Sequence, residues 1–571
     1  MLKNGERYEI EIIDMGSEGE GIGRIGRLAV FVPGAVLGDR VLAEIVQSKK
    51  SFARAKIIEY TEPSPKRCAA FCPIEKSCGG CSLQHLLYSE QLKLKQRWVY
   101  DRLVRIGGVE NPLVHETLGM EEPYAYRNKA VMAAGRATGE EKKQRGCRIG
   151  YYSAGSRQVV DCESCGLQAD PAERIASSVR NWIRDNKVPV YDMKSGTGVF
   201  RNVVVRTAFG SGEVMVILVA TEKRLPETDA LVEAMNAGLE ALSAELNAAY
   251  GGENGDEDYG YYLESVILNV NKQKGSQVFG EDCITLAGKP TIKDFAFGLE
   301  LEISPLSFYQ VNTMQAERLY EKAAEYAGLT GTETVLDLYC GVGTIGLSMA
   351  HRAGKVLGIE SVKAAVLDAN RNAVLNGIVN AEYILGKAED VLPPLAAEGL
   401  CADVVILDPP RRGCEPELLK AAAETGAERI VYVSCDPATL ARDVKLLGEL
   451  GYVFAEAQPV DMFPHTTHVE TVVLLSKGEI DSKKIRVEFS LEDMDTSGFQ
   501  QGATYEQIKG RVLEQTGLKV SSLYISQIKR KCGLEVGQSY NLSKKENAKQ
   551  PQCPPEKEKA IREAMKYFGM I

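Results

Sequence analysis

A chain of 571 residues with 44% hydrophobic and 26% charged side chains has ordinary globular composition and room for about three or four domains. Its formal charge of -10 excludes a chain that is basic throughout, so any contact with a polyanion has to come from a local cleft or patch. The start, MLKNGERYEI, has no apolar signal core, and no run approaches the roughly eighteen apolar residues of a membrane span, which predicts a soluble cytoplasmic protein.

Residues 1–60 carry short apolar alternations such as "LAVFVPG", "RVLAEIV" and "RAKIIEY" around the glycine-dense "MGSEGEGIGRIGR", a pattern of short strands and tight turns that predicts a small OB-like β-barrel. "TEPSPKR" reads as a linker. Residues 61–305 open with a cysteine-rich patch and a long helical run from Leu86 to Ile106. They continue as a mixture of strand-like pieces ("NVVVRTAFG", "GEVMVILVA", "SVILNVN") and helices with polar loops, which predicts a central α+β domain.

In residues 306–477 the order becomes regular from Thr332: "TVLDLYC", "KVLGIE", "AEYILG", "DVVILDPP" and "RIVYVSC" alternate with amphipathic stretches. This predicts a Rossmann-like α/β domain with a parallel sheet covered by helices. "YVFAEAQPVDMF" and "VETVVLLSK" close it as an antiparallel pair. From Lys477 to Ile571 there are 17 Lys and Arg against 13 Asp and Glu, so residues 478–571 form a basic extension. "TYEQIKGRVLEQTG" and "VSSLYISQIKRKCG" read as two helices, either a nucleic-acid-contacting helix-turn-helix or a solvated helix pair. "SKKENAKQPQCPPEKEK" reads as a link to a last helix.

The fourteen cysteines read as thiols or metal ligands, because the cytosol keeps thiols reduced. Cys72, Cys78 and Cys81 lie within ten residues, and Cys162 and Cys165 follow. Two C-x2-C pairs suggest zinc, but the 80 residues between them far exceed the usual spacing of about 15 to 20.

In the α/β domain the first strand runs into Gly341-Val342-Gly343-Thr344-Ile345-Gly346, a G-x-G-x-x-G, and Glu360 ends the second strand. Glycines that let the backbone turn against a ligand, and an acid that accepts from ribose hydroxyls, serve NAD and S-adenosylmethionine equally. The fourth strand separates them. "VVILDPPRRG" puts Asp408 at its carboxyl end, followed by two prolines with no amide hydrogen, and Asp-Pro-Pro at that edge looks like the methyltransferase sheet. In "IVYVSCDPATLARD", Cys435 sits where a strand hands over to a helix, either a packed thiol or a nucleophile.

The ordered set "SFYQVN", "DLYCGVGT", "LDPPRRG", "SCDPATLARD" and "DMFPHTTHVE" resembles the uracil-5 RNA methyltransferases, in particular the 23S rRNA branch with an amino-terminal TRAM barrel and an iron-sulfur cluster. The likeness spans residues 1 to 476. It implies a class I methyltransferase domain using S-adenosylmethionine, with Gln310, Tyr339, Gly341, Gly343, Thr344, Glu360 and Asp408 around the cofactor. It implies Cys435 as nucleophile and Glu470 as base, with His465 and His468 structural or RNA-facing. It also implies a 4Fe-4S cluster on Cys72, Cys78, Cys81 and Cys165, with Cys162 and Cys68 as spare thiols. The family more often carries Asn where Asp436 and Thr344 stand here. The implied enzyme methylates carbon 5 of a uridine in a loop or single-stranded part of 23S rRNA, and a monomer is expected. The alternatives are the same reaction on tRNA and a cluster-bearing RNA-binding protein without activity.

Overall fold

One face of each of the strands Arg7–Met15 (β1), Gly21–Ile25 (β2), Leu28–Val32 (β3), Arg40–Ser48 (β4) and Phe52–Glu62 (β5) is apolar and buried. The five close into a barrel in the order β1-β2-β3-β5-β4, as the glycine-punctuated alternation predicts. The computed structural model describes residues 2–137, 146–250, 260–478 and parts of 508–532 and 555–570.

The long helix expected from Leu86 to Ile106 is Tyr88–Arg105, with Glu90 in its first turn and Arg102 and Arg105 in its last, each placed favourably for the helix dipole. Its buried residues do not all serve one neighbour. Val99 and Leu103 enter the same apolar cluster as Leu336, Leu440 and Leu447 of the α/β sheet and its helices, whereas Leu94 packs with Met15 and Val36 of the barrel segment. The helix thus ties barrel and α/β sheet together.

The central sheet holds Lys129–Arg136 (β6), Cys147–Tyr152 (β7), Val159–Asp161 (β8), Phe200–Thr207 (β9), Glu213–Ala220 (β10), Tyr262–Val270 (β11) and Asp282–Gly288 (β12), in the order β12-β11-β10-β9-β6-β7-β8. β9 and β10 are buried at every position, which explains why both read as continuous apolar runs. The helices Pro171–Asp185 and Thr228–Tyr250 supply Ile175, Val179, Leu231 and Met235 to one face of this sheet. A hairpin of Ile292–Ala296 (β13) and Leu299–Ile303 (β14) packs with the other.

The α/β sheet comprises Thr334–Leu338 (β15), Lys355–Glu360 (β16), Ala381–Leu385 (β17), Val404–Leu407 (β18), Arg429–Ser434 (β19), Tyr452–Val460 (β20) and Glu470–Lys477 (β21). Its order is β17-β16-β15-β18-β19-β21-β20. β15 to β19 are parallel, and β20 and β21 pair antiparallel as expected. The last strand, β21, inserts between β19 and β20 and runs antiparallel to β19, with Ser434 opposite Thr471. This reversal brings the first residue of β21, Glu470, to the edge where β19 delivers Cys435.

Residues Met1–Leu246 with Tyr259–Ile480 form one compact unit, and Asn247–Asp258 with Asp481–Ile571 form a second. In the second, Ile508, Val512, Ile525 and Ile528 are helical and pack with Ala560, Ile561, Ala564 and Met565 of the helix Pro555–Tyr567. The expected link at 543–559 is shorter than its composition suggested, because Pro555–Lys559 already form the first turn of the last helix; 543–554 and the remaining parts of the two expected helices lie outside the described residues. No helix among the described residues is long and apolar enough to cross a membrane.

Candidate active site

The carboxyl edge of the α/β sheet opens into a cavity of about 620 Å³ lined by Gln310, Tyr339, Gly341, Glu360, Asp408, Cys435 and Glu470. These come from six separate segments, so the fold gathers them. Thr344 lines an adjoining cavity of about 30 Å³ that shares Gln310, Tyr339, Gly341 and Asp408 with the larger one. Gly343 lines neither; it is the turn residue ahead of the helix Thr344–Met349.

The glycine loop is built as a cradle. Tyr339, Gly341 and Gly343 all have positive φ, at 62°, 58° and 80°, and for Tyr339 that conformation is a local strain of a kind concentrated at ligand sites. An added Cβ at Gly343 would lie 2.5 Å from the Tyr383 hydroxyl, and one at Gly346 would lie 2.8 Å from Asp337 Oδ2. The amide of Gly346 instead donates to Asp337 Oδ2 at 3.0 Å, and that of Gly341 donates to Glu360 Oε2 at 3.1 Å. Glu360 also accepts from the Val362 amide at 2.7 Å, so one carboxylate orders both the glycine turn and the loop after β16. The Tyr339 hydroxyl donates to Glu389 Oε1 at 2.9 Å, and Arg412 holds the same oxygen at 3.2 Å. Thr344 Oγ1 lies 3.3 Å from the Tyr320 hydroxyl.

Cys435 stands immediately before the helix Pro437–Glu449. Asp436 caps that helix, accepting from the amides of Ala438 at 2.8 Å and Thr439 at 3.1 Å, with Pro437 in the first turn. Such a cap leaves the preceding thiol near the positive end of the helix dipole. Burial nevertheless pushes the thiol up to about 11, reinforced by the carboxylates of Glu470 and Asp408 and opposed by Arg411. Burial also pushes Glu470 up to about 8, with Asp408 adding to the rise and Arg411 countering it. Asp408, partly buried in the cavity wall, is pushed up by desolvation to about 7. The two carboxyl groups are thereby brought towards neutrality, as groups gathered in an active site often are, while the thiol is held well above it. The second candidate thiol, Cys340, is buried behind the glycine loop, and burial and Asp337 hold it far above the ordinary thiol range.

The two histidines divide. His468 lines the cavity, and burial together with Arg411 lowers it to about 4, so it stays neutral. His465, with φ 66°, lies outside it; its carbonyl accepts from the amides of Ser82 and Leu83 at 3.1 and 3.0 Å. Sequence reasoning did not single out Phe308, Arg411, Lys387 or Phe463, which also line the cavity. Arg411 was signalled only by its place directly after Asp408-Pro409-Pro410.

Cys72, Cys78, Cys81, Cys162 and Cys165 line one separate cavity of about 60 Å³ with Arg127 and Tyr151. Hydrogen bonding from Cys162 and from the amides of Leu167 and Gln168 lowers Cys165 to about 6. Cys68 is not among the lining residues; its thiol donates to the carbonyl of Gln84 at 3.3 Å. Among the described residues no three His, Cys, Asp or Glu side chains are grouped closely enough to hold a metal ion.

Comparison with known proteins identifies the family. A family model described as tRNA (Uracil-5-)-methyltransferase matches residues 292–478, and a TRAM domain model matches residues 2–58. A protein of Caldanaerobacter subterraneus named an uncharacterized RNA methyltransferase is 44% identical over 83% of this chain and 99% of its own length. One of Clostridium tetani with the same description is 42% identical over 83% and 97%. The chain belongs to the uracil-5 RNA methyltransferase family. It is a TRAM-bearing, S-adenosylmethionine-dependent RNA methyltransferase with the Rossmann-like sheet of that family. The crystal structure of Pyrococcus abyssi tRNA (uracil-54, C5)-methyltransferase in complex with S-adenosyl-L-homocysteine is 28% identical, with a TM-score of 0.62, over 82% of this chain and 99% of that one.

Proposed function

We propose that this methyltransferase modifies carbon 5 of a uridine in 23S rRNA through a covalent bond between Cys435 and the base. The observation that carries the reading is that Cys435, Glu470 and Asp408 face one cavity with the glycine cradle. S-adenosylmethionine would supply an electrophilic methyl group, held by Gln310, Tyr339, Gly341, Gly343, Thr344, Glu360 and Asp408. The fit rests on the open glycine turn, where a Cβ at Gly341 would meet no atom within 4 Å at the cavity wall, and on two carboxylates, Glu360 and Asp408, of which one suits ribose hydroxyls and the other a cation.

Carbon 5 of uracil is a weak nucleophile until a thiolate adds to carbon 6, which turns the base into an enolate. Cys435 makes that bond. Its high proton affinity means the thiol waits protonated, so the S–H proton has to pass to an ionised carboxylate beside it, Asp408 or Glu470, as the sulfur adds to carbon 6, with Arg411 favouring the thiolate. Once carbon 5 carries the methyl group, Glu470 removes its remaining proton and the Cys435 sulfur leaves. The base has to leave its stack to reach a cavity of this depth, which favours a loop or single-stranded site.

A 4Fe-4S cluster on Cys72, Cys78, Cys81 and Cys165, with Cys162 as the spare thiol, is part of the same proposal. All-cysteine ligation is what such clusters use. Arg127 lines the cavity with its buried Nε unpartnered among the described groups, which suits an anionic occupant. Its task would be structural, because Ser82 and Leu83, next to Cys81, hold the His465 carbonyl in the loop that leads to Glu470.

The second reading, a tRNA substrate, is favoured by the Pyrococcus abyssi likeness. Most of this chain runs alongside an enzyme described as acting on tRNA. The test is nucleoside mass analysis of fractionated rRNA and tRNA from a deletion strain, complemented with the intact or the Cys435→Ala protein. Loss of 5-methyluridine from 23S rRNA, restored only by the intact protein, is expected. Loss confined to tRNA would transfer the reaction to the second substrate.

A further inference from the structure

Strand β7 separates two cavities. Tyr151 lines the cysteine cavity, whereas its neighbour Tyr152 lines a groove of about 740 Å³ on the other side, as adjacent strand residues must. Five described lining residues of the groove are cationic, Arg136, Arg148, Arg157, Lys194 and Arg201, and one, Asp192, is anionic. This balance runs against the chain's net charge of -10.

The groove is a built feature. Arg201 lies 4.4 Å from the Tyr191 ring centroid. It also donates to the carbonyls of Asn271 at 3.2 Å, Gln273 at 2.6 Å, Gly275 at 3.1 Å and Gln277 at 3.2 Å, which fixes the 271–277 segment as one wall. Asp192 is occupied by the amides of Lys194 and Ser195 at 2.8 and 3.0 Å and by Arg136 at 3.4 Å, so its charge is largely answered. Arg157 and Lys194 are exposed, and the Tyr152 side chain is 41% exposed beside Arg157 and Arg201. The Gly79 amide donates to the Tyr152 carbonyl at 3.0 Å, so the aromatic floor is braced by the cysteine loop.

We propose that this groove binds a single-stranded RNA segment outside the methylated nucleotide, with Arg157 and Lys194 on its phosphates and Tyr152 stacked on a base. The inference rests on the reading of the protein as an RNA-modifying enzyme. Exposed cations on the rim and an accessible ring in the floor are the combination that single-strand binders use.

The test is fluorescence anisotropy of a labelled twelve-nucleotide oligouridylate titrated with full-length protein at several salt concentrations. Removing two phosphate contacts lowers the slope of log affinity against log salt by about 1.4 for a single strand. The pair Arg157→Glu with Lys194→Glu should therefore show that loss and bind on the order of tenfold more weakly at low salt. Arg157→Lys with Lys194→Arg should bind as the unmodified protein does, which separates lost charge from a damaged fold. Tyr152→Ala should weaken binding roughly tenfold with the slope unchanged. Unaltered affinity and slope in the charge-reversed pair would overturn the proposal. So would inorganic polyphosphate displacing the oligouridylate at equal phosphate concentration while Tyr152→Ala has no effect, since the groove would then be an anion site without base recognition. Formation of 5-methyluridine by the unmodified protein is measured separately, so failure of the groove and failure of the enzymatic reading are distinguishable.

Discussion

Lys95 Nζ donates to Asp461 Oδ1 at 2.5 Å, with both side chains fully buried. The pair joins the helix Tyr88–Arg105 to the start of the loop 461–469, which ends at Glu470. Lys95 also reaches the Phe463 carbonyl at 3.2 Å, Asn312 holds the Met462 carbonyl at 3.0 Å, and the Tyr126 hydroxyl holds the Pro464 carbonyl at 3.0 Å. The loop that leads to Glu470 is thus fixed by side chains from outside its own sheet.

Lys95→Met should leave the Asp461 carboxylate buried without its cation and lower unfolding stability by about 3–5 kcal/mol. The paired change Lys95→Met with Asp461→Leu should recover most of that loss, because the cost lies in the unpaired charge. Urea unfolding of the three proteins checks this; equal stability of the single and double variants would mean that the pair does not act as a unit.

Cys435→Ala and Glu470→Gln interrupt the proposed pathway before and after the covalent bond. Cys435→Ala should form neither adduct nor product. Glu470→Gln should accumulate methylated RNA bound to protein in a band that survives denaturant. Peptide mass mapping of that band to Cys340 would remove Cys435 from the role.

Glu470 has to be ionised to take the proton from carbon 5, and burial raises it to about 8. A base with a raised value is protonated and idle at low pH, so decay of a preformed methylated adduct should rise tenfold per pH unit below about 8 and level off above it. A decay rate independent of pH between 6 and 9 would assign the proton to another group.

Gly343→Ala places a Cβ where the Tyr383 hydroxyl stands, at a φ of 80° that disfavours a side chain. S-adenosylmethionine affinity, measured by calorimetry, should fall at least tenfold. Gly377→Ala has no atom within 4 Å of the added Cβ and should keep the cofactor affinity of the unmodified protein.

Protein purified without oxygen should contain about four iron per chain, the content of the cluster proposed on its cysteines. Cys165→Ser should lower the iron, while stoichiometric zinc in its place would replace the cluster reading. Because the cluster would brace the loop that contacts His465, iron loss should also slow single-turnover methyl transfer.

Much of the site was legible before the fold. Asp408, Cys435 and the glycine turn each follow a strand-length apolar run, and a strand end in a parallel sheet is where ligands are met, so local pattern sufficed to nominate them. The five cysteines were equally visible as spaced thiols, and the barrel followed from short alternating strands between glycine turns. Adjacency between distant segments had no local signal and came only as what the family resemblance implies. That Glu470 meets Cys435 depends on β21 reversing into the gap between β19 and β20, a long-range pairing that no window of sequence encodes. Arg411 and His468 carry no periodic signal and matter only because burial places their charge, or its absence, beside a thiol and two carboxylates. Lys95 reads as one more surface lysine on an amphipathic helix until packing buries it against Asp461. The sequence alone determined which side chains could do chemistry and which backbone turns they sit on, because those are properties of neighbours along the chain. Only the tertiary structure decided which of them share a cavity, and what proton affinity each has there, because desolvation and charge proximity depend on distances through space.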